Sequence, residues 1–255
     1  MINLGAGLED RGVVVTGASG GIGLATARAF AEVGARVHLV DLHAADLERA
    51  LAALPEPGRH GYSAVDLRRT GAHAAMLAAA EAATGGVRAL AHLAAVLVRR
   101  ASIDEVSDED WDLQHDVNLK ATFFLNRAFA QHLRAAGRGG AIVDFTSQGW
   151  WTGGYGGSVV YSASKGGVVS LVRGLARSLA PDGIRVNAVA PGGVDTPMLR
   201  EGMTDEALAD FQALIPLGRL ADPSELAGTV VFLCSDHASF ITGATVNVSG
   251  GQLMY

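Results

Sequence analysis

Short apolar runs rich in β-branched residues alternate with longer helical patterns along the chain, and this alternation limits the folds open to it. The runs are "GVVVT" (12–16), "ARVHLVD" (35–41), "HGYSAVDL" (60–67), "RALAHLAAV" (88–96), "GAIVDFTS" (140–147), "GIRVNAVAP" (183–191) and "GATVNVSGG" (243–251). Helical periodicity fills 44–54, 72–83, 107–136 and 158–179, and a last helix starts at Asp222, Pro223 and Glu225. Ser107 followed by Asp110 is a capping pair for the longest of these. Strands separated by helices pair in parallel and carry helices on both faces. With no linker or repeat, the expectation is an α/β fold: one doubly wound domain over 1–255, with a seven-stranded, mainly parallel sheet. Ligands of such sheets bind beyond the carboxyl ends of the strands. Attention therefore falls on Thr16, Asp41, Asp66, Ala94, Ser147 and Pro191.

Composition removes several functions. The net charge of −6 without a basic run argues against nucleic acid or an anionic membrane as partner. The lone cysteine, Cys234 in "TVVFLCS", cannot form an internal disulfide or a thiolate metal cluster, and no metal is expected. No charged segment followed by an apolar one opens the chain, and no apolar run reaches the ~18 residues of a membrane helix. A cytoplasmic protein is expected.

The first run leads into "TGASGGIG" (16–23). Glycines here allow a tight turn and let a pyrophosphate approach N–H groups at a helix start. The second run ends in Asp41, 20 residues after Gly21, the spacing at which an acid meets the adenosine ribose. A carboxylate there repels a 2′-phosphate, and no Lys or Arg follows in "DLHAAD", so NAD is expected over NADP.

With these features the chain resembles the short-chain dehydrogenase/reductase family over nearly its whole length. The family's T-G-x-x-x-G-x-G is Thr16, Gly17, Gly21 and Gly23, its adenine-contacting acid is Asp66, and its helix asparagine is Asn118 in "DVNLKA". Its serine is Ser147, its Y-x-x-x-K is Tyr161 and Lys165, and its later motif is Asn187, Pro191, Gly192 and Thr196. The resemblance implies a Rossmann-type domain, a homotetramer packed through the Asn118 and Tyr161 helices, and NAD-linked interconversion of a secondary alcohol and a ketone. It implies catalysis by Asn118, Ser147, Tyr161 and Lys165. The NAD site would comprise Gly17, Ser19, Gly21, Ile22, Gly23, Asp41, Leu42, Asp66, Leu67, Ala94, Tyr161, Lys165, Pro191, Gly192, Val194 and Thr196. Two departures stand out: His92-Leu93-Ala94-Ala95 replaces the usual N-N-A-G, and Ser249 stands where an acid is usual. His92 is expected to pack in the sheet.

Tyr161 and Lys165 are four residues apart and so share a helix face. A neighbouring ammonium favours the phenolate, which can take an alcohol proton while Ser147 holds the oxygen. Asn118 is expected to hold a water beside Lys165. The substrate region should include Ser147, Gln148, Trp150, Trp151, Tyr155, Tyr161 and Met198, with Leu199 and Met203 completing a lid. Trp150 and Trp151 stand on a glycine-rich loop, and either ring can serve substrate, a subunit contact or the core. Sugars or polyols, suggested by Gln148 and Arg99, compete with cyclic alcohols, suggested by the apolar lid. A cofactor-binding regulator without turnover, or an assembly protein, is the alternative to an enzyme.

Overall fold

A computed structural model of the chain describes residues 4–155 and 157–255; the first residues of the N-terminal segment discussed above lie outside them. The strands are β1 (Gly12–Thr16), β2 (Arg36–Asp41), β3 (Gly61–Ala64), β4 (Val87–His92), β5 (Gly140–Phe145), β6 (Ile184–Pro191) and β7 (Thr245–Val248). They form one sheet in the order β3-β2-β1-β4-β5-β6-β7, and every neighbouring pair is parallel. The sheet is thus wholly parallel where a mainly parallel one was expected. Strand order reverses between β1 and β4, the place where doubly wound sheets open a crevice.

The helices are α1 (Gly21–Glu32), α2 (Ala44–Ala52), α3 (His73–Thr84), α4 (Asp108–His115), α5 (Ala121–Ala135), α6 (Gly149–Thr152), α7 (Val159–Leu179), α8 (Pro197–Arg200), α9 (Asp205–Ala213) and α10 (Pro223–Cys234). Alternate residues of the strands feed opposite layers. Val13, Val15, Leu39 and Val143 meet Phe30 of α1, Leu47 of α2 and Val230 of α10. Val14, Val40, Leu90 and Ile142 meet Leu77 of α3, Phe129 of α5 and Val172 of α7. Burial on both faces explains why the strands read as continuous apolar runs rather than as alternating ones. Each large apolar side chain so buried contributes about 1.5–3 kcal/mol.

Both anticipated caps form: the Ser107 hydroxyl and Asp110 carboxylate each accept a backbone N–H at the start of α4, and Asp222 and Glu225 do the same at α10. Two local expectations are corrected. The pattern over 107–136 is not one uniform helix, because Asp116–Lys120 forms a π-helical turn between α4 and α5. Such turns add a residue without changing the apolar periodicity enough to be read, and they are frequent at functional sites. Trp150 and Trp151 do not lie on an open loop either. They form α6, one helical turn ended by Gly153 at φ 83°.

The turn after β1 depends on close packing. A Cβ on Gly23 would lie 1.9 Å from the Gly17 carbonyl oxygen, and Gly17 itself sits at φ 65°. Gly23→Ala is expected to cost about 1–3 kcal/mol through overpacking, read as a lower urea midpoint with an unchanged slope.

Candidate active site

The carboxyl ends of the strands open into a cavity of about 630 Å³. At one end β2 delivers Asp41. Its carboxylate accepts the Ser19 backbone N–H (3.0 Å), the Ser19 hydroxyl (2.6 Å) and the Leu42 N–H (2.8 Å). Leu42, Asp66 and Leu67 also line this end. Arg68, which the sequence reading did not single out, lies beside them, but its guanidinium is tied to Asp66 at 2.7 and 3.0 Å. That contact holds the Asp66 carboxyl below its usual range.

Gly17, Gly21, Ile22 and Gly23 floor the middle of the cavity, opposite Ala94, Pro191, Gly192, Val194 and Thr196. The site fits a dinucleotide on three observations: the cavity runs unbroken from Asp41 to Tyr161, no atom stands within 4 Å of where a Gly20 Cβ would lie, and the glycine turn opens α1 toward it. Its residues at the two ends would hold a ribose diol and a nicotinamide ribose.

His92 shows how the family's missing asparagine is replaced. It is buried, and desolvation pushes its pKa down to about 3, so it is neutral. The Thr16 hydroxyl accepts the N–H groups of Leu93 and Ala94 (both 3.1 Å), which leaves its proton for His92 Nδ1 at 2.7 Å. The Nε2–H then donates to Thr122 Oγ1 (3.0 Å), which donates to the Asn118 carbonyl (2.7 Å). This one-way chain fixes the tautomer and ties β1 and β4 to the π turn. His92 does pack in the sheet as expected, and it also orients the Leu93–Ala94 cavity wall.

Ser147, Tyr161 and Lys165 converge at the other end. The Ser147 hydroxyl lies near enough to Tyr161 to favour its phenolate, and its Oγ accepts the Gly149 N–H at 3.1 Å. Lys165 Nζ donates to the Phe145 carbonyl (2.7 Å) and lies 5.7 Å from the Tyr161 ring centre. The expected lowering of the tyrosine pKa is not seen: burial pushes it up to about 12, against the opposing pull of Ser147 and the Arg99 charge. The ammonium is spent on a main-chain carbonyl and is itself weakened by burial, to about 8, with Asp144 opposing. Asn118 does not line the cavity. Its side-chain amide accepts the Val96 N–H (2.8 Å) and donates to the Val96 carbonyl (2.9 Å) and Ser164 (3.1 Å). The amide therefore braces a cavity wall, with both of its N–H donors engaged.

The substrate end is walled by Leu97, Leu113, Val117, Gln148, Tyr155, Met198, Leu199 and Phe211, with Arg99 among them. Trp150 and Trp151 are not in this wall, contrary to one expectation. Their rings meet edge to face (5.2 Å) and both pack on Tyr255, at 5.4 and 5.9 Å. The α6 turn directs them away from the cavity and toward the C-terminus. Met203 is also outside the wall, while Tyr155 reaches Phe211 of α9 edge to face. Leu113 and Val117 were missed, although their spacing of four ahead of Asn118 places them on one helix face. The thiol of Cys234 is buried, which pushes its pKa up to about 12 and leaves it unreactive.

A sequence model of the family described as "Enoyl-(Acyl carrier protein) reductase" matches residues 17–252. The chain is 37% identical to a (3R)-3-hydroxyacyl-CoA dehydrogenase of Rattus norvegicus, over 94% of this chain and 95% of that protein. It is 39% identical to a probable galactose dehydrogenase of Rhizobium meliloti (strain 1021), over 96% and 95%. A solved short chain dehydrogenase from Bacillus anthracis superposes with a TM-score of 0.89 at 30% identity, over 97% and 98% of the two chains.

Asp144 lies behind this site on β5, fully buried, with one oxygen bound to Asn126 at 2.6 Å. Burial raises its pKa from 3.8 to about 7. Between those values the folded chain holds a proton that the unfolded chain has lost, so stability falls as pH rises from about 4 to 7. Asp144→Asn is expected to remove that fall. Thermal unfolding of both proteins across this window should show their difference growing with pH, and parallel curves would contradict it.

Proposed function

Since the chain belongs to the short-chain dehydrogenase/reductase family and is a short-chain dehydrogenase, we propose that it interconverts a secondary alcohol and a ketone with NAD, using Ser147, Tyr161 and Lys165. The observation that carries this is the meeting of these three side chains on one cavity wall, joined by an open path to Asp41 behind the glycine turn. The bound nicotinamide supplies the hydride donor or acceptor. Ser147 holds the substrate oxygen by donating a hydrogen bond, and Tyr161 exchanges the proton with that oxygen. With burial keeping its proton, Tyr161 is prepared to act as the acid toward a ketone. Oxidation needs further positive charge beside it to release that proton. Lys165 would hold the nicotinamide ribose and contribute part of that charge. Asn118 is a positioning residue, acting through Val96.

NAD is favoured because Asp41 accepts three donors and, among the described residues, no basic side chain is hydrogen-bonded to it. The nearby Arg68 is neutralised by Asp66. The apolar walls favour a cyclic or other apolar alcohol over a sugar. Among the described residues no helix is long and apolar enough to cross a membrane. A cytoplasmic homotetramer is consistent with Trp111, Phe123 and Val159, apolar side chains left exposed on α4, α5 and α7. A regulator without turnover is less well supported, since the relatives are named dehydrogenases.

Tyr161→Phe should reduce ketone turnover by about 100-fold or more, the scale of a lost general acid, while NADH still binds by fluorescence titration. Retained turnover would falsify the role of Tyr161. Asp41→Ala should narrow the preference for NADH over NADPH by about tenfold or more, consistent with removal of a close charge repulsion. An unchanged ratio of kcat/KM for the two cofactors refutes the assignment of Asp41.

A further inference from the structure

We propose that Arg99 makes the substrate end of the cavity a carboxylate site, so that the preferred substrate is a compact apolar hydroxy acid or its keto acid. The inference rests on the reading of this cavity as a dehydrogenase site and adds the charge of the substrate to it.

Among the described residues Arg68 and Arg99 line the cavity, and of these two Arg99 makes no direct ion pair. Arg68 is held by Asp66. Arg100, the next residue along, grips Asp110 with two bonds of 2.7 and 2.6 Å. Among the described residues, the hydrogen bonds of Arg99 all go to main-chain carbonyls at the end of α8: Glu201 at 2.6 Å, Leu199 at 3.3 Å and Met198 at 3.4 Å. These carbonyls carry only partial charges, and two of the contacts are long. Among the described residues this half-buried guanidinium, with five N–H donors, thus has no carboxylate within hydrogen-bonding distance, and the Glu201 carboxylate favours its charge only from farther away. Burial holds its pKa below the ordinary arginine range, whereas the pKa of Arg100 is raised by its partner.

The position is suited to a substrate. Arg99 lines the cavity, and its charge is felt at the Tyr161 hydroxyl. The same cavity is lined by the apolar side chains of Leu97, Leu113, Val117, Leu199 and Phe211. A molecule spanning this space has a carbinol at Ser147 and Tyr161, an apolar body, and an anion that can take both arms of the guanidinium. Charge-assisted, two-pronged binding of this kind is what the planar fork of arginine favours over a hydroxyl. The long contacts to Met198 and Leu199 are the ones a carboxylate would replace.

The test compares 4-oxocyclohexanecarboxylate with neutral 4-methylcyclohexanone in NADH-driven reduction, and measures binding of unreactive cyclohexanecarboxylate to the protein–NADH complex by calorimetry. The wild-type protein should favour the keto acid by about 10- to 100-fold in kcat/KM, mostly through KM, in line with a charge-assisted contact. Arg99→Met should erase that preference and the binding of cyclohexanecarboxylate, and Arg99→Lys should keep part of both. Equal use of the two ketones by the wild type overturns the proposal without any variant, as does a preference that survives in Arg99→Met. If neither ketone is reduced, the proposed reaction fails for these compounds. The carboxylate site then stands on Arg99-dependent binding of cyclohexanecarboxylate, and falls if that binding is absent or independent of Arg99.

Discussion

A buried ammonium at the crossing of β5 and α7 organises this protein. Lys165 is 3% exposed, and moving such a charge from water costs several kcal/mol unless partners replace the lost hydration. Here the Phe145 carbonyl accepts from it, and the Asp144 charge opposes the loss of its proton. The contact runs both ways, because the Thr146 hydroxyl donates to the Lys165 carbonyl at 2.8 Å. The end of β5 and the first turns of α7 are therefore locked in register, and Ser147 and Tyr161 are brought together by that lock. The π turn carrying Asn118 can approach α7 because Gly167 has no side chain: a Cβ there would lie 2.8 Å from Leu119.

The polar groups behind the cavity divide into a neutral set and a charged set. Thr16, His92 and Thr122 form a neutral chain in which each proton position follows from the next. Neutrality is what burial of an imidazole beside Lys165 requires, since a second positive charge there would be repelled. Asp144 and Lys165 form the charged set, and burial weakens both ionised forms toward neutrality. Along the cavity the charge changes sign, from Asp41 beside the glycine turn to Arg99 on the side of Tyr161.

Much of the fold was legible in the chain because parallel strands buried on both faces leave unmistakable apolar runs. The caps at Ser107 and Asp222 were legible for the same kind of reason: their hydrogen bonds join residues two or three apart. The π turn was not, since a single extra residue in a helix leaves its apolar stripe nearly intact. The residues chosen for the dinucleotide line one continuous cavity. The surroundings of Asn118 and of the two tryptophans were not legible in the same way. What Asn118 binds depends on Val96, 22 residues away, and where the tryptophans point depends on Tyr255, about a hundred residues away.

The sequence by itself determined most of the local matters: where the strands and the long helices run, where the backbone needs glycine, and that Tyr161 and Lys165 share a helix face. Each of these follows from periodicity, sterics or short spacing. The tertiary structure alone decided the electrostatic state of those residues. A tyrosine held by desolvation at about 12, an aspartate raised to about 7 and an arginine bonded to main-chain carbonyls are consequences of what surrounds each group in space. Burial and long-range pairing set the free energy of a charge, and neither is encoded in its neighbours along the chain.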